Sequence, residues 1–476
     1  MDRVNLRGER QGAGAAFRAA FVVAAGLVPW LMGIAGATAA EAGRPNVLFL
    51  LTDDQRADAI GAMGNPAIKT PVMDSLARRG LAFRNAYVLG SNVPAVCTPS
   101  RNMIMSGRAY FRWQGLYASP DQPNFPVTLE NAGYVTYHYG KKGNTAILIQ
   151  EKFNTNKYLQ DDADREDGEP GRAIVDDAIA FLKGKRDARP FFMYLAFSNP
   201  HDPRVAAPKY LDMYPMDKVP LPKNFMPVHP FDNGEMLIRD ELLAPWPRTE
   251  QEIRKQLREY YAVITGLDYH IGRLLAALKD LKLDSNTIII FASDNGLSLG
   301  SHGLMGKQNL YEEGTKVPLI FAGPGIPAGR SDALVYLMDI FPTVCDLVSV
   351  PVPAGLDGKS LKPVIDGREP GVRPTLFTAY RDVQRAIRDA RWKLIRYPKI
   401  NKTQLFDLND DPNEMHDLAG DPAQAGRIER MMAELERWQK QLGDAAPLTS
   451  EHPKDPTFTP PTGEALEKLL KPAKKK

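Results

Sequence analysis

Four runs of the chain are apolar without alternation: NVLFLL at 46–51, YVTYHY at 134–139, FFMYLAF at 191–197 and TIIIFA at 287–292. Continuous apolar runs of this length are the signature of strands buried on both faces of a parallel sheet. Helical patterns of ten or more residues separate several of them, so the expected fold is α/β. Near the C-terminus the pattern changes. RAIRDARWKLIRY at 385–397 predicts paired strands around a turn at Asp389-Ala390, and QLFDL at 404–408 predicts another short strand. In the following QAGRIERMMAELERWQKQL, residues Ile428, Met431, Met432, Leu435, Trp438 and Leu442 recur at helical spacing and form a core face. From Ala445 onward proline and lysine dominate, which predicts a mobile extension. The proline- and charge-rich segment 204–250 predicts a loop-rich insertion near a pocket mouth. There is no internal repeat.

The first forty residues follow a different pattern. Arg3, Arg7, Arg10 and Arg18 precede the apolar run AAFVVAAGLVPWLMGIAGATAA, with small residues at its end. That is the pattern of a secretory signal peptide over 1–40, with an uncleaved anchor as the alternative. The mature protein is expected to be secreted or periplasmic, with no stable membrane partner. The 476 residues suit one large domain, 44–375, a smaller one, 376–444, and a tail, 445–476. Sixty Lys and Arg against 57 Asp and Glu give a net charge of +3, which argues against nucleic acid as a partner.

Chemistry enters at the ends of the four strands. They are followed by Thr52-Asp53-Asp54, Gly140-Lys141, Ser198-Asn199-Pro200-His201 and Ser293-Asp294-Asn295-Gly296. Taken singly these are ordinary turn sequences. In open α/β sheets, however, ligands bind outside the carboxyl ends of the strands, so all four would meet at one edge. Three carboxylates there repel one another unless a cation lies between them. Asp53, Asp54, Asp294 and the amide oxygen of Asn295 are an all-oxygen donor set, which fits Ca²⁺ or Mg²⁺ rather than zinc, with Ca²⁺ preferred for its tolerance of irregular geometry.

The chain has two cysteines. Cys345 sits among Ile340, Phe341, Val344 and Leu347 at helical spacing, which predicts a small buried apolar residue rather than a bridge to Cys97. Cys97 opens CTPSR. Thr98 reads as a helix N-cap, Pro99 as the first helical residue and Gly107 as the stop. Cys97 at a helix N-terminus, with Arg101 one turn on, favours an anion. Cation and anion sites are therefore expected side by side.

These residues resemble the type I sulfatases. The family pattern C-x-P-S-R-x-x-x-L-T-G reads CTPSRNMIMSG here, with Met105 and Ser106 as departures. The resemblance extends to TDDQR at 52–56, GK at 140–141, NPHDP at 199–203, SDNG at 293–296, HGLMGKQNLYEEGTKVPLIF at 302–321 and LFDLNDDPNEMHDLA at 405–419. It implies an alkaline-phosphatase-like α/β domain, with a mixed, mostly parallel sheet flanked by helices, and a smaller C-terminal α+β subdomain. It implies that a maturation enzyme acting on CTPSR converts Cys97 to formylglycine. The metal ligands it implies are Asp53, Asp54, Asp294 and Asn295, completed by residue 97. A hydrated aldehyde supplies one hydroxyl to attack sulfur and a second to expel sulfate, an internal exit that serine lacks. By the same resemblance Arg101 holds the hydrate, Lys141 and Lys307 bind sulfate oxygens, and His201 protonates the leaving oxygen. The implied substrate is a sulfated carbohydrate.

One position departs from the family. Its members commonly read GKxH, whereas GKKGN places Gly143 where that histidine belongs. His302, Lys142 and Asn144 are the candidates to replace it. Arg112, Trp113, His229, Arg239 and Arg381 are candidates for a sugar pocket, and each is equally a surface or packing residue. Two other readings stay open: a phosphonate monoester or phosphodiester hydrolase of the same superfamily, and an inactive protein that binds sulfated polysaccharide.

Overall fold

The four apolar runs are neighbouring strands in a computed structural model that describes residues 43–160, 167–184 and 188–470. The expected signal peptide at 1–40 lies outside the described residues. The first strands are β1 (Asn46–Asp53), β2 (Leu81–Tyr87), β3 (Gly90–Ser91), β4 (Val135–Gly140), β5 (Thr155–Tyr158), β6 (Phe191–Pro200) and β7 (Thr287–Ser293). They are followed by β8 (Lys316–Val317), β9 (Leu319–Ala322), β10 (Gly329–Tyr336), β11 (Leu376–Tyr380), β12 (Gln384–Arg388), β13 (Trp392–Tyr397) and β14 (Lys402–Asp407).

The larger sheet has the order β10-β2-β9-β7-β1-β6-β4-β5, with β8 paired to β2. β1 runs parallel to both β6 and β7, and β4 runs parallel to β6, so the four chemistry-bearing strands are consecutive neighbours. β9 is antiparallel to its neighbours β7 and β2, which makes the sheet mixed. All eight residues of β1 are buried, and this is why its sequence does not alternate. Leu48 and Leu50 point to a core layer with Ile264, Leu267 and Ile271 of the helix Glu250–Asp280. Val47, Phe49 and Leu51 point to the opposite layer, which holds Ile104 and Met105 of the helix Cys97–Ser106 and Phe341, Val344 and Cys345. Cys345 is a free, buried apolar residue, as its pattern predicts. No helix among the described residues is long and apolar enough to cross a membrane.

The second sheet has the order β14-β13-β12-β11-β3. The expected hairpin is present: Asp389 N–H donates to Trp392 O at 3.0 Å across the turn between β12 and β13. The helix Ala425–Leu442 lays Met431, Leu435, Trp438 and Leu442 on this sheet. The two sheets meet where the chain leaves β2 and adds β3 in parallel to β11. Only glycine fits there, since Gly90 has φ +116° and a Cβ would lie 1.8 Å from Ala379 O.

Two expectations need correction. The chain after Ala445 is not a loose extension over its described length. Lys454 N–H donates to Lys399 O at 2.8 Å, Asp232 N–H donates to Pro456 O at 2.7 Å, and the Phe458 ring packs edge-on to Trp246 at 5.7 Å. Backbone hydrogen bonds and one aromatic anchor hold a segment whose composition alone carries no ordering signal. Thr98 is not the N-cap of its helix. Val96 already has helical angles, φ −57° and ψ −24°, and the helix begins at Cys97 with no side-chain cap. The preceding turn supplies the missing bonds instead, Thr98 N–H to Ala95 O at 3.0 Å and Ser100 N–H to Val96 O at 3.3 Å. Gly107 ends the helix with φ +66°, as expected.

Gly140, the last residue of β4, sets the approach of Lys141 to the sheet edge: a Cβ there would lie 2.3 Å from Ala196 O and 2.6 Å from Ala196 Cβ. Gly140→Ala is expected to force β4 away from β6 at a cost of about 3 kcal/mol. Chemical denaturation measures this, and an unchanged midpoint contradicts it.

Candidate active site

Asp53 closes β1, and Asp54 turns the chain away in the left-handed region at φ +68°. That turn is fixed from three sides. Asp54 N–H donates to Asp294 Oδ1 at 3.1 Å, the Tyr260 hydroxyl donates to Asp54 O at 2.7 Å, and Asp294 N–H donates to Thr52 O at 3.1 Å. The paired ends of β1 and β7 thus bring Asp53, Asp54 and Asp294 together, at 0%, 2% and 0% exposure. Ligand atoms of these three and Cys97 all lie within 4.8 Å of one another. Cys97 Sγ is 3.3 Å from Asp53 Oδ1 and 3.8 Å from Asp54 Oδ1.

Three fixed cations surround the three acids. Arg101, fully buried, donates from Nε to Asp294 Oδ2 at 2.7 Å and from Nη2 to Asp53 Oδ2 at 3.1 Å. Lys307 Nζ donates to both oxygens of Asp54 at 2.7 and 2.6 Å and reaches Cys97 Sγ at 3.1 Å. Lys141 Nζ hydrogen-bonds Asp53 Oδ2. Arg101, one turn on from Cys97, is thus held by the two carboxylates. His201 borders the group, with Nε2 3.8 Å from Asp54 Oδ2 and Nδ1 2.7 Å from Asp202 O. A carbonyl oxygen only accepts, so Nδ1 carries a proton and Nε2 is the atom nearest the acids.

Burial opposes ionisation of Asp53, but Lys141 and Arg101 outweigh it and hold its carboxyl far below the usual range. For Asp54 burial wins over Lys307 and His201, and its carboxyl is pushed up to about 6. Burial, with Asp294 and Asp53, raises the Cys97 thiol well above its ordinary value, so it is a neutral group in this setting. Asn295 is buried beside Asp294, and its Nδ2 has no hydrogen-bond partner.

The remaining candidates divide clearly. His302 takes no part in this cluster: its ring stacks on Tyr311 at 3.8 Å and its Nε2 lies 2.9 Å from Asn224 Nδ2 and 3.7 Å from Glu313. Lys142, Gly143 and Asn144 are exposed, and a Cβ at Gly143 would meet nothing within 4 Å. His229 is a buried packing residue whose Nδ1 lies 2.8 Å from His302 O. Arg112 pairs with Asp357, and Arg381 pairs with Glu235. Trp113 packs against the layer that holds Ile104 and Phe341 and against the core of the second sheet. Arg239 alone of these candidates reaches the site: it grips Asp202, next to His201, and meets Asp240 at 3.0 Å. Asp240 Oδ2 in turn accepts from Gln308 Nε2 at 2.8 Å, beside Lys307. Asp202, Asp240 and Gln308 carry no signal of their own in the sequence: NPHDP and GKQN contain the first and the last, but nothing in either motif shows that a third loop joins them.

The family model described as Sulfatase matches residues 45–350, and one described as N-sulphoglucosamine sulphohydrolase, C-terminal, matches residues 300–441. The chain belongs to the sulfatase family. An N-acetylglucosamine-6-O-sulfatase of Bacteroides thetaiotaomicron is 30% identical to this sulfatase, over 86% of this chain and 88% of its own. A protein solved in complex with its substrate D-glucosamine-2-N,6-O-disulfate superposes with TM-score 0.72 at 28% identity, covering 86% of this chain and all of that one. A phosphonate monoester hydrolase of Agrobacterium radiobacter has the same fold, with TM-score 0.72 at 22% identity, over 84% of this chain and 96% of its own.

In metal-free protein Lys307 is the only cation within hydrogen-bond reach of the Asp54 carboxylate among the described residues. Lys307→Met is expected to destabilise the sulfatase by about 3 kcal/mol in chelator, because it leaves a buried carboxylate unpaired. Urea unfolding in EDTA checks this, and an unshifted midpoint contradicts it.

Proposed function

We propose that this sulfatase is an exported, calcium-dependent enzyme that releases sulfate from a sulfated carbohydrate, with residue 97 matured to formylglycine. The observation that carries the reading is the balance at the sheet edge: three buried carboxylates and three buried or half-buried cations enclose residue 97. Such a cluster has no packing role that apolar residues would not fill at lower cost.

The residues fit a hard divalent ion. Asp53, Asp54 and Asp294 provide carboxylate oxygens, Asn295 an amide oxygen, and residue 97 the remaining donor, with no histidine or second sulfur among them. When bound, Ca²⁺ supplies Lewis-acid polarisation at residue 97 and offsets the charge of the acids. With the charge of the acids offset in this way, Lys141 and Lys307 would donate to sulfate oxygens, where negative charge collects. His201, one-fifth exposed with its Nε2 facing the acids, gives a proton from Nε2 to the leaving oxygen when its ring is protonated on both nitrogens, and keeps the one on Nδ1. Arg101 keeps Asp53 and Asp294 in register and residue 97 in place.

Cys97, Thr98, Ser100 and Arg101 are at most 2% exposed, so a maturation enzyme must reach CTPSR before the chain folds around it. The carbohydrate class follows from the N-acetylglucosamine-6-O-sulfatase and the glucosamine disulfate complex, which together favour a sulfated amino sugar. The phosphonate hydrolase likeness is one of fold alone, and the intact CTPSR and its complete charged surround disfavour an inactive binder. A Cβ at Gly143, where the family pattern has a histidine, would meet nothing within 4 Å, so this position is open.

Protein made with a maturation system and assayed on a panel of sulfated glucosamines, simple sulfates and phosphonates tests this reading. Peptide mass at 97–101 is expected to show loss of the thiol, and sulfate release is expected to be fastest on a sulfated amino sugar. An unmodified cysteine in active protein, or faster phosphonate hydrolysis, contradicts it.

A further inference from the structure

Arg101 presents one edge of its guanidinium to the acids, through Nε and Nη2. Nη1 is fully buried and has no hydrogen-bond partner. Buried donors on a charged group are rarely left unmet. Two more buried polar atoms without partners are the Tyr194 hydroxyl and His138 Nε2. They stand on adjacent strands: His138 of β4 is the register partner of Tyr194 of β6, with ring centroids 5.2 Å apart. Both side chains point to the core layer that also receives the helix Cys97–Ser106, the opposite face from Tyr137. Arg101 is close enough to act on both. Burial pushes His138 down to about 3 and the charge of Arg101 adds to that effect, whereas for Tyr194 burial raises the phenol and Arg101 opposes it by its charge and its approach to the hydroxyl.

The tautomer of His138 follows from its other nitrogen. Nδ1 lies 2.7 Å from Asn156 Oδ1, and Asn156 Nδ2 donates to the Tyr158 hydroxyl at 3.1 Å, which fixes the amide orientation. An amide oxygen only accepts, so Nδ1 carries the proton and Nε2 is a bare acceptor. A charged donor, a hydroxyl that can donate or accept, and an acceptor thus converge behind the metal-facing edge of Arg101. Three polar partners are what a buried water takes up.

We propose that a water molecule enclosed by Arg101 Nη1, the Tyr194 hydroxyl and His138 Nε2 links the three, and that Tyr194 and His138 are positioning residues for Arg101. They brace the guanidinium from behind, so that its other edge holds Asp53 and Asp294 at the spacing the site requires. This rests on the role given to Arg101 in the proposed function.

The test combines kinetics with crystallography of the matured protein. Tyr194→Phe removes one oxygen, and His138→Phe removes the acceptor. Each is expected to lower kcat about ten-fold with KM within about two-fold, and the double variant is expected to be no slower than the singles, because they act on one unit. His138→Gln places an amide near the Nε2 position and is expected to recover most of the lost rate. A purely structural role would lower the melting temperature without this kcat effect and without rescue by glutamine; that outcome, or additive losses, overturns the proposal. In wild-type crystals at high resolution, density within about 3 Å of all three atoms is expected, and its absence overturns the water. If the wild type releases no sulfate from any ester, the functional reading fails on its own, and the density still decides the cluster.

Discussion

Mutual repulsion among Asp53, Asp54 and Asp294 is the constraint around which this protein is arranged. Three carboxylates at almost zero exposure, with ligand atoms within 4.8 Å of one another and Cys97, cannot coexist as anions without compensation. Arg101, Lys141 and Lys307 supply it, one from a helix, one from the end of β4 and one from a loop after β7. Each cation is delivered by a different element, so the charge balance also fixes where those elements sit. Parallel pairing of β1 with β6 and β7 brings the acids to one edge, and the glycine at the end of β4 lets Lys141 follow.

The site has an inner and an outer side. Arg101 is sealed on the inner side, with its remaining polar surroundings, Tyr194 and His138, also buried. Lys141 and His201 lie on the outer side, with side chains 13% and 20% exposed. Arg239 and Asp240 tie the His201 and Lys307 loops together at that rim. A rigid inner cation and a more accessible outer pair suit a site in which the protein holds its own groups still and exchanges only the ester.

Strand identity and the meeting of four polar strand ends were legible because burial on both faces leaves uninterrupted apolar runs, and sheet topology then dictates where their ends lie. The motif at 97–107 also marked the helix that brings Cys97 and Arg101 to that edge. Three things were not. The start of that helix was missed because backbone bonds from Ala95 and Val96 replace the side-chain cap that Thr98 suggested. Order after Ala445 was missed because it depends on contacts with Lys399, Asp232 and Trp246, distant in sequence. Asp202, Asp240 and Gln308 carried no signal because each meets its partner from another loop, and the place of Arg239, named only as a pocket candidate, was not legible for the same reason. His302 shows the converse: it offers the right chemistry, but its place is against Tyr311 and Asn224.

The most direct measurement is anomalous diffraction from crystals of the matured protein grown with calcium. One strong peak bonded to Asp53, Asp54, Asp294, Asn295 and residue 97, with Lys141 and Lys307 displaced toward the solvent-facing side, is the predicted result. Crystals in which the lysines keep their present carboxylate bonds and no peak stands among the acids would contradict the account.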